Sequence, residues 1–282
     1  MTNRQGLQHH RDSVNEIINI LKAMKTLAYM ENHKLGHYLE QQHQVVDAIT
    51  SVAEDFLSFY PETLPTTGNT TSVYLIVGSE RGFCGGFNQE LIQHVEGLLD
   101  HRPDAKPHLI VVGRKLFNLM PEDIPVLFRI NGPSVAEEVP VVLEQTVQSL
   151  AELQQQHPLL RFHVVYHSTG QGVVMKQLLP SFQGERFPPR FPAPPELNLA
   201  PTSFLLEVTE QYLFAALHEL FYMSLVEESH NRIIHLEGAV THLDTLAEKL
   251  TQQFNILRRE EIIEEIEVIL LNDAGMEGGK PK

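Results

Sequence analysis

The sequence has little cysteine, no tryptophan and no long apolar run. It has 282 residues, of which one is cysteine, Cys84, and none is tryptophan. A single thiol excludes an internal disulfide and any zinc or iron–sulfur site that needs four thiolates from this chain. No run of about 18 apolar residues is present, so no bilayer-spanning helix is predicted. The polar residues 1–11 lack the apolar stretch of a signal peptide, which favours a reduced cytoplasmic compartment.

Basic residues are also scarce. There are 21 Lys and Arg against 36 Asp and Glu, and the formal net charge is -15. Nonspecific binding to nucleic acid or to an anionic membrane is driven by Lys and Arg, so this balance argues against both. Between Thr202 and Asp273, four basic residues oppose fourteen acidic ones, and five glutamates crowd into residues 260–267. Such a run is usually a solvated helix face, and the functional alternative is a partner surface.

The N-terminal part carries a heptad pattern. Residues 12–60 contain no proline, and steps of alternately four and three residues from Val14 reach fourteen positions. Eleven of them are apolar or Tyr, and the exceptions are Lys25, Asn32 and Gln42. This pattern holds for longer than an ordinary globular helix needs, so it predicts one long helix with an apolar seam.

A second heptad pattern occupies the C-terminal part. Its apolar positions alternate by three and four residues from Ile233 to Leu257, and after a slip of five residues they continue from Ile262 to Ile269. Neither seam is stable alone in water, so the simplest arrangement packs the two helices antiparallel. A homodimeric coiled coil and a compact helical bundle are the alternatives.

The middle of the sequence alternates short β-branched runs with helical stretches. Strands are predicted at 73–77, 108–112, 126–130, 161–166 and 173–179, with helices at 89–99 and 134–156. This order predicts a small Rossmann-like α/β domain with a mainly parallel sheet. Seven prolines from Pro180 to Pro201 then predict an extended connector.

The predicted fold class is therefore α/β, with a long antiparallel coiled coil of N- and C-terminal helices and an inserted small Rossmann-like α/β domain. The expected division is an N-terminal coiled-coil helix over 1–65, the α/β domain with its proline-rich connector over 66–201, and a C-terminal helix and tail over 202–282.

The most distinctive short segment is the loop from Gly78 to Asn88, GSERGFCGGFN. A glycine-rich turn between a strand and a helix can present backbone N–H groups to phosphate. Its glycines, Gly78, Gly82, Gly85 and Gly86, fit neither the dinucleotide-binding fingerprint nor the phosphate-loop spacing, and no acidic residue ends the second strand. A tight turn whose glycines allow close backbone packing is favoured over nucleotide binding.

Other reactive side chains give weaker indications. Cys84 could be a nucleophile at a helix N-terminus, although a cysteine between glycines is more often packed. The pairs His33 with His37 and His163 with His167 have spacings that could share a metal, but no carboxylate at a recognised spacing completes either pair. We therefore predict no catalytic residue, metal or cofactor.

Several motifs, in order along almost the whole chain, resemble the γ subunit of F-type ATP synthases. The glycine loop is similar to that family's GSDRGLCGGxN loop and is the most specific match. The other matches are to its KAM, LLP, ES…R and YN…RQ elements, which correspond here to Lys22–Met24, Leu178–Pro180, Glu228–Arg232 and Phe254–Arg258.

The resemblance implies a central-stalk rotor subunit that couples ion translocation through a membrane ring to ATP synthesis or hydrolysis at α/β catalytic sites by rotation. It implies as partners the α and β subunits, an ε subunit and the membrane c-ring, at the cytoplasmic face of the bacterial plasma membrane. The chain itself would be non-catalytic. Residues at the family's coupling positions are Met24, Arg232, Arg258, Arg259, which replaces the usual Gln, and Glu265.

Departures from the family favour a divergent or paralogous bacterial form, such as one in an alternative ion-translocating ATPase. No Lys occurs in residues 14–21, Ile263 replaces the usual Thr, and the last helix is unusually acidic. Two other classes stay open at this point: a coiled-coil scaffold unrelated to ATPases and a nucleotide-binding Rossmann-like enzyme.

Overall fold

The computed structural model describes residues 4–64, 71–100, 107–156, 160–182 and 187–277. The helices are α1 Arg4–Phe59, α2 Phe87–Asp100, α3 Arg114–Phe117, α4 Val139–Gln156 and α5 Pro201–Glu277. The strands are β1 Thr71–Val77, β2 His108–Val112, β3 Val126–Ile130, β4 Leu160–Ser168 and β5 Gly172–Leu179. Single 3-10 turns lie at Pro61–Thr63 and Ala136–Glu138.

Residue contacts divide the chain into two compact units. The terminal unit comprises Met1–Leu27 and Ile234–Lys282, and the central unit comprises Ala28–Ile233. Helices α1 and α5 therefore each contribute residues to both units. The predicted division at residues 65 and 201 follows the chain rather than these contacts, and it stays a prediction.

In the terminal unit, α1 and α5 pack antiparallel. Their buried side chains form one apolar seam, made of Leu7, Val14, Ile18, Leu21, Leu236, Val240 and Leu250. Partners on α5 move backward along the sequence as α1 advances. Arg4 pairs with Glu261 at 2.9 Å, and Lys25 pairs with Glu237 at 3.4 Å. Apart from Leu7, these seam residues are positions of the two heptad patterns, which put apolar side chains on one stripe of each helix.

The three polar positions in the first heptad pattern each bond across to α5. Lys25 forms the ion pair with Glu237 in the terminal unit. In the central unit, the Asn32 side-chain amide donates to the Val226 carbonyl at 3.0 Å, and that of Gln42 donates to a carbonyl further back on α5 at 3.2 Å. The pairing is therefore antiparallel in the central unit as well.

The central unit contains a five-stranded sheet in the order β3-β2-β1-β4-β5. The first four strands are parallel, and β5 runs antiparallel to β4. Alternate residues of β1 enter different cores: Val73 and Leu75 pack with α4 and the terminal helices, while Tyr74 and Ile76 pack with α2. Both faces are covered, as is usual for a parallel sheet. The predicted α/β fold class with long terminal helices is confirmed.

The connector runs without helix or strand over residues 187–200. Arg190 fastens it to α1, because its guanidinium donates to Ser51 Oγ at 2.9 Å and pairs with the carboxylates of Glu54 and Asp55. Helix α1 begins at Arg4, before Val14, the first position of the heptad pattern, and α4 begins at Val139, directly after the 3-10 turn Ala136–Glu138. No helix within the described ranges carries an apolar stretch long enough to cross a membrane.

Candidate functional site

The glycine loop lies at the carboxyl end of β1, between β1 and α2. Strand β1 has β2 on one side and β4 on the other, so the chain order reverses at this point of the sheet. Ligands of open α/β sheets bind in the crevice outside such a reversal. The loop is therefore the position at which the fold itself predicts a functional site.

The four glycines of the loop differ in what they contribute. A Cβ on Gly78 would lie 2.4 Å from Leu116 Cβ, so this position has no room for a side chain. Gly85 has a φ of 59°, in the left-handed region that favours glycine. A Cβ on Gly82 or Gly86 would meet its nearest neighbour at 3.7 or 3.4 Å. Close packing thus explains why glycine is needed at position 78, and backbone conformation explains why it is favoured at position 85.

A side chain of the loop occupies the backbone donors at the sheet edge. Glu80 is buried, and its Oε2 accepts from the backbone N–H of Arg114 and of Gly132 at 2.8 Å each. Its Oε1 lies 3.2 Å from Arg114 Nε. These N–H groups follow β2 and β3, at the same edge of the sheet as the loop. The carboxylate of Glu80 satisfies both of them within the chain.

Asn88 closes the loop on itself. The Ser79 N–H donates to Asn88 Oδ1 at 3.0 Å, and Asn88 Nδ2 donates to Ser79 Oγ at 2.8 Å. Both residues are buried. Two reciprocal bonds between the first and last turns of the loop fix its conformation without a ligand.

A buried ion pair joins the loop to α5. Arg232 and Glu228 are one helical turn apart, are 7% and 3% exposed, and form an ion pair with each other. Arg232 Nε donates to the Gly82 carbonyl at 3.2 Å, and the Arg81 N–H donates to Glu228 Oε1 at 3.4 Å. Burial raises the pKa of the Glu228 carboxyl, and the charge of Arg232 opposes that shift. We call Glu228, Arg232 and residues 81–84 the loop anchor.

Cys84 contacts both Arg232 and Gly82 within the loop anchor. Its Sγ lies 3.4 Å from Arg232 Nη2 and 3.4 Å from the Gly82 carbonyl oxygen, to which the thiol can donate. Burial, followed by the negative charge of Glu228, raises the pKa of the Cys84 thiol to about 12. The thiolate is the reactive form, so this geometry is that of a packed thiol rather than of a nucleophile.

The histidine pairs make structural contacts. His167 Nε2 donates to the Phe87 carbonyl at 2.8 Å, and burial lowers the pKa of its ring. The His163 ring stacks on Tyr74. His33 and His37 are exposed on α1 with ring centroids 5.3 Å apart. In the described part of the chain, no group of three His, Cys, Asp or Glu side chains could hold a metal.

The predicted coupling residues do not form one cluster. Met24 is half-buried in the terminal-unit core beside Lys25, which pairs with Glu237. Arg258, Arg259 and Glu265 are exposed on α5, near Glu261. Since Glu261 pairs with Arg4 at the beginning of α1, these three residues lie at the other end of the terminal unit from Met24.

Arg232 differs from the other predicted coupling residues because it is buried in the loop anchor of the central unit. The glycines of the loop were predicted from the sequence as its structural residues, whereas its side-chain contacts are made by Ser79, Glu80, Asn88 and Glu228. A four-residue spacing of Glu228 and Arg232 on a predicted helix was the available signal for their pairing.

Comparison with known proteins gives a consistent family. A family model described as ATP synthase matches residues 3–272. ATP synthase gamma chains of Clostridium botulinum strain Langeland and of Clostridium beijerinckii are 24% and 25% identical to this chain. The first alignment covers 94% of this chain and 95% of the relative, and the second covers 92% and 93%.

Solved structures with the same fold are also parts of ATP synthases. One is the Tetrahymena thermophila mitochondrial ATP synthase central stalk and c-ring, with a TM-score of 0.57, 16% identity, and coverage of 78% of this chain and 99% of that chain. Another is the Euglena gracilis mitochondrial ATP synthase OSCP/F1/c-ring in rotational state 3, with a TM-score of 0.58, 16% identity, and coverage of 99% and 96%. At this identity they show the fold alone. Because the family match spans almost the whole sequence, the chain belongs to the gamma-chain family of ATP synthases.

Proposed function

We propose that this chain is the central-stalk rotor subunit of a rotary ATP synthase or ATPase. In this role it couples ion translocation through a membrane ring to ATP synthesis or hydrolysis on α and β subunits. Family membership supports the proposal. The observation that carries it is the pair of unbroken antiparallel helices, α1 and α5, with side-chain contacts between them in both units. An unbroken, side-chain-locked helix pair can transmit torque, whereas a flexible loop cannot.

The surface of the terminal unit supports contact with partner subunits. Large contiguous apolar patches are rare on the surface of monomeric soluble proteins, and they mark interaction sites. Exposed large apolar side chains occur on both helices of this unit: Ile17, Ile20, Leu27, Ile256, Ile262, Ile263, Ile266, Val268, Ile269 and Leu270. We assign this surface to the α and β subunits.

We propose that residues at the family's coupling positions contact the same α and β subunits. Arg258, Arg259 and Glu265 are exposed beside the apolar side chains of α5 and can pair with charged groups of a partner. Met24 lies among partly buried side chains near exposed Leu27. Arg232 would act indirectly, by holding the loop anchor, because its guanidinium is already bound within the chain.

The remaining partners and the location rest on resemblance. We propose that the chain contacts a c-ring and an ε subunit, and that it is held at the cytoplasmic face of a bacterial plasma membrane through these partners. The similar Tetrahymena structure is a central stalk with a c-ring, and the Euglena structure contains F1 and a c-ring. The similar gamma chains from two Clostridium species are bacterial, which favours a bacterial membrane.

The two other classes find less support. A nucleotide-binding enzyme would need a phosphate-binding glycine spacing that the loop lacks. The loop is also bonded within the chain through Asn88 and Glu80. A coiled-coil scaffold unrelated to ATPases does not fit the family match over residues 3–272. The apolar seams of α1 and α5 are also packed against each other in the terminal unit.

Reconstitution tests the rotor function. The chain should co-purify with an α/β hexamer, and membranes that lack the chain should lose ATP-driven ion transport while regaining it when the chain is added back. A chain that stays outside any such complex would refute the proposal. Arg258→Glu should lower the number of ions moved per ATP, whereas Lys249→Glu, an exposed charge reversal on the same helix, should not.

A further inference from the structure

A buried carboxylate outside the loop site joins three elements of the central unit. Glu219 lies on α5 and is 4% exposed, between the buried residues of the larger core. His43 of α1 and Lys176 of β5 reach its two oxygens, at 2.6 and 4.0 Å. An unpaired carboxylate at this depth is strongly destabilising, so these two contacts keep the charge in place. The loop anchor uses none of these residues.

The ring of His43 faces carboxylates on both sides. Its Nδ1 is 2.6 Å from Glu219 Oε1, and its Nε2 is 3.6 Å from Asp47 Oδ2. An ionised carboxylate only accepts hydrogen bonds, and a neutral imidazole has a single N–H. Only the protonated ring can present an N–H to both carboxylates at once.

The groups around Glu219 shift the pKa values of His43 and of two nearby tyrosines. The pKa of His43 is raised chiefly by its hydrogen bond to Glu219, then by the charges of Asp47 and Glu219, with Glu40 adding to the shift. Burial, followed by the charge of Glu219, raises the pKa of the phenols of Tyr166 on β4 and Tyr212 on α5, which therefore stay neutral near pH 7.

Lys176 supplies a second, more distant cation on β5. A raised histidine pKa means that the contribution of His43 is complete below the ordinary pKa of about 6.5. That contribution is lost as the pH rises through the value in the folded protein.

We propose that Glu219 is a positioning residue of the rotor: its carboxylate fixes α1 and β5 against α5 through His43 and Lys176, and the hold weakens when His43 loses its proton. This inference rests on the proposed function, because the fixed register of helices and sheet matters when torque passes between them. Lys176 and the apolar core keep the elements together at alkaline pH, so the fold survives while the junction becomes more compliant.

The geometry is tested first in the full chain, by NMR titration of its histidine rings. The midpoint of His43 should fall when Glu219 is replaced by Gln, because the charged acceptor is lost. His37, an exposed histidine on the same helix, is the internal control, and its curve should be the same in both proteins. An unchanged curve for His43 would refute the contact and with it the proposal.

The positioning role is tested in the assembled complex. Ions moved per ATP hydrolysed are measured across the pH range in which His43 titrates, for the natural chain and for His43→Gln, Glu219→Gln and His37→Gln. The ratio should be higher for the natural chain than for His43→Gln at acidic pH, and the two should converge as His43 deprotonates. Glu219→Gln should resemble His43→Gln, and His37→Gln should resemble the natural chain.

Two failures are distinguishable in this experiment. If the natural complex couples and the curves of the natural chain and His43→Gln coincide at every pH, the positioning role is refuted and the rotor function stands. If no complex containing the chain couples ion transport to ATP, the rotor function fails, and this role falls with it.

Discussion

Replacing Arg232 by methionine removes the cation of the loop anchor while keeping much of the side-chain volume. Glu228 would then keep the Arg81 N–H at 3.4 Å but lose the adjacent charge. Removing one partner of a buried ion pair costs about 3–5 kcal/mol, because the other charge is left uncompensated. We expect Arg232→Met to lower the free energy of unfolding by that amount near neutral pH.

The loss of unfolding free energy in Arg232→Met should depend on pH. Burial already raises the pKa of Glu228, and removal of Arg232 takes away the main opposing charge. The variant can therefore relieve its buried charge by protonation, and its deficit should be smaller at acidic pH than at alkaline pH. The double variant Arg232→Met with Glu228→Gln removes the charge altogether and should recover most of the loss.

Urea unfolding of the full chain, followed by circular dichroism because tryptophan is absent, measures these differences. Arg258→Met is the matched control, since it makes the same substitution at an exposed position of the same helix. Its effect should stay within about 0.5 kcal/mol. Equal losses for Arg232→Met and the double variant, or a loss no larger than that of the control, would refute the argument that the pair is a buried anchor.

Gly78→Ala should lower the free energy of unfolding by about 1–3 kcal/mol, since the new Cβ would lie 2.4 Å from Leu116 Cβ. Gly82→Ala, with 3.7 Å of room, should cost clearly less, and equal losses in thermal melts would contradict the packing argument. Cys84 should resist iodoacetamide in the native chain near neutral pH, because burial raises the pKa of its thiol to about 12. Rapid alkylation detected by mass spectrometry would show that the loop is open. Asn32→Ala should cost about 1 kcal/mol in urea unfolding through the lost bond to α5, and no measurable change would mean that water replaces it.

The helical part of the fold could be predicted because a heptad pattern is a local property of the sequence. The seam positions Val14, Ile18 and Leu21 are buried as the pattern requires. The early start of α1 could not be read in this way. Leu7 is isolated among polar residues, and its burial becomes visible only when α5 is packed beside it. Likewise, Asn32 interrupts the pattern but bonds to a carbonyl 194 residues away.

The loop site was predictable in position but not in its contacts. The glycines of residues 78–86 mark a turn between a strand and a helix, and that turn lies where the sheet order reverses. The partners of Glu80 and Arg81 come from segments 34 to 147 residues away, and nothing local identifies them. Arg232 illustrates the limit. Its family match predicts a coupling position, and only the packed structure places its guanidinium inside the loop anchor.

The proposed rotor function is tested most directly by observing rotation. A fluorescent or gold probe would be attached to an exposed position of the chain in an immobilised α/β complex, with ATP supplied. We predict sustained rotation in one direction that stops when ATP is removed. A chain that binds the hexamer yet remains stationary while ATP is hydrolysed would contradict the proposal that this subunit is the rotor.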